Sequence, residues 1–436
     1  MILYGGMKKR FIIFLFVFTL GCEKTPEPEQ SQVMCDADNG GLILPTGFCA
    51  LVVADHINFL RHITVTRNGD IYGSRRNRRL NLGGLVGIRD LDADGRADVI
   101  QEFGEEPGLG IAVYEGFLYF GANKRILKYA LNKADLVPTD EPEIVVDQFP
   151  DQKVHAGKTF AIDEQGQMYI NVGSPSNACQ KEELIPASKG IDPCPQLEQQ
   201  ASIWRFNAKL VEQKFPLDGV KYATGIRNTY AIAWNADNQT LYAVQHGRDG
   251  LSDLWPEIYE AQQGADLPAE EFLLIKENDV FGWPYCYYDP NKKLYILAPE
   301  YGGDGQKTGR CEAYKAPIFA FPAHYSPNDL LFYSGDQFPQ QYQKGAFIAF
   351  HGSYNRGPYE QVGYQVVYVP FKDGLPTGKT QVFADGFSGS DAIQAPEDAE
   401  FRPDGLAQGP DGSLYIADSV QGRIWRVLYQ ANQNSE

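Results

Sequence analysis

One phrase recurs along the chain: an alternating run of apolar and polar residues, a short turn usually carrying glycine, then a second alternating run. It reads His62-ITVTRNGDIYGS-Arg75, then Gly110-IAVYEGFLYFGA-Asn123, then Thr159-FAIDEQGQMYINVG-Ser174. Further copies are Ala231-IAWNADNQTLYAVQ-His246, a divergent one from Leu330 to Phe350, and Gly405-LAQGPDGSLYIADS-Val420. A period of two places successive side chains on opposite faces of a strand, and N-G, E-G, Q-G and D-G pairs are hairpin turns. Several copies are followed by a third alternating run: Arg125-ILKYAL-Asn132, Ser202-IWRF-Asn207, Gly363-YQVVYVPF-Lys372 and Arg423-IWRVLY-Gln430.

Six units of three or four strands predict an all-β chain folded as a six-bladed β-propeller; a seven-bladed propeller or a β-sandwich are the alternatives. The long gaps, roughly 175–200, 248–330 and 351–402, read as loops inserted on one face, where they would build a site. Helical patterning is scarce, and Gln262 to Phe272 is a short candidate.

The N-terminus departs from this pattern. Lys8, Lys9 and Arg10 precede the unbroken apolar run Phe11 to Leu20, too short to span a bilayer as a helix. Thr19-Leu20-Gly21-Cys22 resembles a bacterial lipobox, in which Cys22 becomes the lipidated first residue; the alternative is an ordinary signal peptide with an incidental cysteine. Residues 1–21 are thus expected to be a lipoprotein signal, 22–40 a disordered tether rich in Pro, Glu and Gln, and 41–430 the propeller. The expected location is the periplasm or cell surface, with the membrane reached through the lipid. Six further cysteines lie as neighbours in sequence: Cys35 and Cys49, Cys179 and Cys194, Cys286 and Cys311. An even number in an exported chain favours disulfides, and sequential pairing closes the shortest loops.

A formal net charge of −17 and the lack of a basic stripe exclude nucleic acid as a partner. The candidate chemistry lies at the ends of the repeats. His155, His246 and His351 stand at equivalent edges of three of them and could converge near an axis. Arg61, Arg227, Arg356 and Arg402 recur at similar places, and a ring of guanidinium forks suits a ligand with several carboxylates. The same arginines could instead bind blade-edge carbonyls.

Taken together, Gly225-Ile226-Arg227-Asn228, His246-Gly247-Arg248-Asp249, Phe281-Gly282-Trp283-Pro284, His351-Gly352-Ser353-Tyr354-Asn355-Arg356 and Arg402-Pro403-Asp404-Gly405 resemble the glucose/sorbosone dehydrogenase family from about residue 45 to 430. The last two phrases, extended to Ala349–Arg356 and Arg402–Ala407, together with Gly409-Pro410-Asp411-Gly412-Ser413-Leu414-Tyr415-Ile416-Ala417-Asp418, look most like its sorbosone-dehydrogenase branch. The resemblance implies a six-bladed propeller that binds pyrroloquinoline quinone (PQQ) and Ca²⁺ and oxidises a sugar or sugar aldehyde. It implies His155 as general base and Arg227, with Asn228 beside it, at the quinone. It implies the main-chain carbonyls of Gly247 and Arg248 as ligands of the catalytic calcium, although the glucose branch commonly has proline at the latter position. His246, His351, Asn355, Arg356, Arg402 and Arg61 become candidates to hold the cofactor, and Lys158 to bind cofactor or substrate. The electron acceptor, a cytochrome or a quinone, is not identified, and the glucose-branch sugar contacts are not recognisable. A neutral imidazole with an ordinary pKa near 6.5 suits proton abstraction.

A separate metal signal is Asp90-Leu91-Asp92-Ala93-Asp94-Gly95-Arg96-Ala97-Asp98. Its spacing follows a calcium loop, with Asp90, Asp92, Asp94, the carbonyl of Arg96 and Asp98 as candidate ligands of a structural Ca²⁺. The alternative is an empty acidic turn. Two other functions fit the same fold: a calcium-dependent propeller lactonase, with Asp, Glu and Asn side chains around an axial ion, and a lipid-anchored propeller that binds carbohydrate or protein without catalysis.

Overall fold

The computed structural model describes residues 1–3, 5–6, 33–77, 79–390 and 392–430. Most of the expected signal segment, Cys22 and the tether up to residue 32 lie outside the described residues. No helix among those described is long and apolar enough to cross a membrane.

Six antiparallel four-stranded units surround one axis, and each recurring phrase forms the first hairpin of one unit. Blade 1 comprises Leu60–Val65, Ile71–Asn77, Leu82–Arg89 and Val99–Phe103; blade 2 comprises Gly108–Tyr114, Phe117–Ala122, Ile126–Ala130 and Glu143–Asp147. Blade 3 comprises Phe160–Ile162, Gln167–Val172, Ser202–Asn207 and Val220–Thr224; blade 4 comprises Ala231–Asn235, Thr240–Gln245, Glu270–Ile275 and Phe319–Phe321. Blade 5 comprises Pro327–Phe332, Gly345–His351, Tyr364–Lys372 and Gln381–Ala384. Blade 6 takes Pro403–Gln408, Leu414–Asp418 and Ile424–Tyr429 from the C-terminus, and its outer strand, Phe48–Ala54, from the N-terminus. That pairing, with Leu51 opposite Arg426, closes the ring. Closure leaves only short outer edges, which is how this architecture limits exposed strand backbone.

The core lies between blades. Val53, Ile63, Val86, Ala407 and Ile424 pack blade 6 on blade 1, and Phe48 meets Phe338 edge-to-face at 4.8 Å between blades 6 and 5. Such contacts bury ring area in the geometry that aromatic quadrupoles favour.

Strand direction sorts the loops. The inner strand starts, and the second strand ends, on one face, which is called the upper face below. Segments 173–201, 246–269, 352–363 and 385–402 lie on it, so the long insertions do gather on one side. The stretch expected as one insertion over 248–330 also contains two blade strands, Glu270–Ile275 and Phe319–Phe321. Between them the chain climbs beside blade 3, where Asp279–Val280 pairs parallel to Val220–Thr224, and delivers Trp283, whose Nε1–H donates to the Asn177 carbonyl at 2.9 Å.

Three expectations are tested by local structure. The cysteines pair sequentially, Cys35–Cys49, Cys179–Cys194 and Cys286–Cys311. The helix expected from Gln262 to Phe272 is shorter, Ala261–Asp266; Pro268 cannot continue it, and Glu270 onward joins the blade 4 sheet. The tether expected up to residue 40 is already part of the fold from Cys35: Val52 N–H donates to Asp36 at 2.8 Å, and Asp36 also pairs with Arg96.

Candidate functional site

On the upper face the inner-strand starts and the insertions enclose a cleft of about 700 Å³. His155, His246 and His351 all line it, as do Arg61, Arg227, Asn228, Asn355, Arg402 and Gly247. The residue pattern thus brought most of its candidates together, because equivalent ends of equivalent strands must meet at the propeller axis.

His155 sits in the segment leading into blade 3, in a left-handed conformation (φ 50°). Its Nδ1 lies 2.8 Å from the Ser174 carbonyl oxygen. A carbonyl only accepts, so Nδ1 carries a proton, and the neutral ring has its basic lone pair at Nε2. Gln152 donates to the His155 carbonyl at 3.0 Å and to that of Gly173 at 3.0 Å, which holds the segment against the end of the second strand.

A chain of side chains then crosses five blades. Asn171 donates to Asn228 Oδ1 at 3.1 Å. Asn228 Nδ2 lies 3.3 Å from His246 Nδ1, and His246 Nε2 lies 3.2 Å from Asn328 Oδ1. Asn328 donates to Asp404 at 2.9 Å, and Arg61 pairs with the same carboxylate oxygen at 2.9 Å. These bonds define His246 as a neutral ring with its proton on Nε2, and burial, then the nearby Arg227 charge, pushes its pKa down to about 4. His351 Nε2 lies 2.7 Å from Ser419 Oγ, and burial with Arg402 and Arg61 holds its pKa well below the ordinary range.

Arg227 is buried and fully engaged. It donates to the Asn177 carbonyl at 3.2 Å, to Asn177 Oδ1 at 3.0 Å, to the Gly247 carbonyl at 2.9 Å and to Asp249 at 2.9 Å. Asp249 also accepts from Asn355 at 2.5 Å. Burial favours its neutral acid, but Arg227, His324 and Asn355 outweigh burial and keep its pKa below the ordinary value. Glu270 spans the cleft floor, accepting from Gly247 N–H at 2.8 Å and Ser326 N–H at 3.1 Å. Burial nonetheless raises its pKa to about 8. Arg402 donates to the carbonyls of His351 and Gly352 at 2.9 and 2.6 Å.

Three candidate residues have side chains directed away from the cleft wall, although the candidate ligand of Arg248 is its main-chain carbonyl. Arg248 turns into a buried ion pair with Glu300 at 2.6 Å. Arg356 is directed at the Ala265 carbonyl and at Asp266, 3.3 Å away. Lys158 is fully buried, its ammonium 2.5 Å from the Ala156 carbonyl, and burial, then Arg76, pushes its pKa down to about 7. Each follows a local polar partner that the chain supplies from an insertion or from its own segment. Conversely, Arg76, Arg79, Asp249, Glu270, His324 and Asn328 line the cleft without having been singled out. Asp249 and Asp404 stand inside the quoted His246-Gly247-Arg248-Asp249 and Arg402-Pro403-Asp404-Gly405 phrases, which was the available signal for those two.

The aspartate loop joins the third and fourth strands of blade 1, so it lies on the lower face, away from the cleft. Asp90, Asp92 and Asp98 each offer an oxygen within 4.8 Å of the others. Asp94 is not in that group; its Oδ1 accepts from Arg96 N–H at 2.7 Å. The Arg96 guanidinium reaches the Val52 carbonyl at 2.8 Å.

A closed six-bladed propeller with histidines and arginines converging in an axial cleft on its loop-rich face defines the class. The chain belongs to the TrAA12-like family, whose model matches residues 42–430. That match does not single out the sorbosone branch that three phrases suggested. Solved structures share the fold at low identity. The holo form of the pyranose dehydrogenase PQQ domain from Coprinopsis cinerea is 20% identical, with a TM-score of 0.70 over 89% of this chain and 97% of that one. The calcium structure of a Trichoderma reesei carbohydrate-active enzyme of family AA12 is 18% identical, with a TM-score of 0.72 over 92% and 99%. The apo-form soluble aldose sugar dehydrogenase from Escherichia coli is 15% identical, with a TM-score of 0.55 over 88% and 99%. An uncharacterized protein of Borreliella burgdorferi is 26% identical over 281 residues, covering 64% of this chain; the match spans 62% of that protein's length.

Proposed function

We propose that this protein is a PQQ-dependent oxidoreductase that oxidises a sugar or sugar aldehyde in the upper cleft. The observation that carries this reading is the sharing of one cleft by His155, with its basic nitrogen at Nε2, and the arginines Arg61, Arg227 and Arg402. The residues fit a polycarboxylate. Arg61 Nε and Asn355 Oδ1, both on cleft-lining residues, are buried without a hydrogen-bond partner, and an orphaned guanidinium donor is what a ligand carboxylate satisfies. A cleft of this size is also in the range of cofactor sites. A solved structure that shares the fold is the holo form of a pyranose dehydrogenase PQQ domain.

When bound, PQQ would supply the hydride acceptor. The chain's own groups do the rest. His155 Nε2 takes the hydroxyl proton of the substrate, and the Ser174 carbonyl steadies the imidazolium that forms. Arg61 and Arg402 hold carboxylates. Arg227 supplies positive charge beside Asn228, already oriented by Asp249.

Calcium fits less well at the cleft carbonyls. Gly247 O already accepts from Arg227, so an ion there would stand beside a guanidinium. The better donor set for Ca²⁺ among the described residues is Asp90, Asp92 and Asp98 on the lower face. A hydrolase built on an axial ion is disfavoured because the axial Asp404 and Asn328 are bonded to Arg61 and His246 instead. The reading includes export, a lipid anchor at Cys22 and an external cytochrome or quinone as electron acceptor; Cys22→Ser should release the protein from the membrane fraction.

The test is titration of PQQ into metal-free protein with and without Ca²⁺, followed by absorbance, then addition of aldoses or aldosones with an artificial acceptor. Tight binding and bleaching on addition of sugar are expected. Failure to bind PQQ under both conditions would leave a binding propeller without this catalysis.

A further inference from the structure

The charges along the cleft wall are unevenly placed. Its acidic lining residues, Asp249, Glu270 and Glu397, come from blade 4 and from the segment before blade 6. Among the described residues, blades 1 to 3 contribute none. On that side stand Arg76, at the end of the second strand of blade 1, and Arg79, in the turn that follows.

Arg76 is close to the segment that carries His155. A Cβ built on Gly157 would lie 3.4 Å from Arg76 Nη1, and the Arg76 charge is felt at Lys158. Strand alternation explains the placement: Arg75 bonds Glu102 at 2.7 Å and the Asn58 carbonyl at 2.9 Å on one face of blade 1, so Arg76 takes the opposite face, towards Gly157 and the cleft. Arg79 is exposed on the rim, and its side chain makes no hydrogen bond or ion pair among the described residues.

Groups beside a general base face the substrate, because the base must reach the bond that breaks. A neutral sugar presents hydroxyls, each both donor and acceptor, and is matched by Asp, Asn or Gln. Arginine only donates, and its fork matches a carboxylate. We infer that the sugar oxidised here carries a carboxylate, as a uronic acid does, and that Arg76 and Arg79 recognise it. The inference rests on the proposed sugar oxidation and names its substrate class.

Calorimetry separates this from other roles. Methyl β-D-glucuronide and methyl β-D-glucoside, both blocked at the anomeric carbon, are titrated into the full-length protein without and with PQQ. The glucuronide is expected to bind about tenfold tighter or better, as one charge-assisted contact supplies, with the preference shrinking at high salt. Arg79→Gln, at an exposed position, should cut the preference, and Arg76→Gln should remove it, each with PQQ affinity unchanged. A wild-type protein that binds both glycosides equally overturns the inference. So does a fall in PQQ affinity in the variants with the sugar preference intact, since the arginines would then belong to the cofactor. If wild type prefers the glucuronide yet never binds PQQ, the anionic-sugar site stands and the oxidoreductase reading fails.

Discussion

On the flank of the cleft built by blades 3 to 5, Arg227 is bonded to Asn177, Gly247 and Asp249, and Asp249 in turn to Asn355. On the flank built by blades 6 and 1, Arg402 donates to main-chain carbonyls and lies over the Tyr364 ring, Arg61 pairs with Asp404 but keeps a buried Nε with no partner among the described residues, and the Arg79 side chain bonds none of them. The first flank is also clipped by Cys179–Cys194 and Cys286–Cys311, which lie in one packed cluster. One side therefore resembles a finished, internally neutralised wall and the other a cationic wall awaiting an anion. Arginines in one cleft can thus differ in how far they are committed: Arg227 is held by a carboxylate and three further acceptors, whereas the exposed Arg79 keeps its fork for a ligand.

The largest effect should come where the two flanks meet. His155→Ala is expected to lower sugar turnover about 10²–10⁴-fold, the usual contribution of a general base, with PQQ affinity little changed. Stopped-flow reduction of the bound cofactor measures it, and an unchanged rate would move the chemistry elsewhere.

Next, Arg227→Ala should cost about 3 kcal/mol in urea unfolding because it removes the Asp249 ion pair and strips the Asn177 and Gly247 acceptors of their buried donor. Arg79→Ala should stay within about 0.5 kcal/mol. Similar losses for both would erase the distinction between the flanks.

A smaller effect separates the upper face from the lower. Ca²⁺ at 100 times its Kd should stabilise wild type by about 2.7 kcal/mol, and Asp92→Asn should abolish most of that gain without changing PQQ affinity. Calcium-dependent thermal shifts of both proteins decide this.

A further effect is on the pH profile. Glu270 has an ordinary pKa of 4.5 and a folded value raised to about 8. The folded state therefore holds its proton more tightly than the unfolded chain. Its stabilising contribution is complete below about pH 4.5 and is lost as pH rises through about 8. Glu270→Gln should flatten the fall in melting temperature across that window. A wild-type profile that is flat between those limits would show that the two backbone N–H donors, not burial, govern this carboxyl.

The sequence by itself determined the six hairpins, the all-β class, the disulfide partners and the presence of His155, His246, His351, Arg61, Arg227 and Arg402 at one end of the strands. All of these follow from local properties: alternation with period two, turn chemistry and short loop closure. Only the tertiary structure decided that Phe48–Ala54 completes the last blade, and that Arg248, Arg356 and Lys158 turn away from the cleft while Arg76, Arg79, Asp249 and Glu270 line it. Apart from Lys158, which bonds its own segment, those outcomes depend on partners remote in the chain, as when Arg227 meets Asn177 across 50 residues or Arg356 meets Ala265 across 91. An arginine's role is set by which acceptor reaches it first, and ring closure brings such acceptors together from blades that strand periodicity treats as alike.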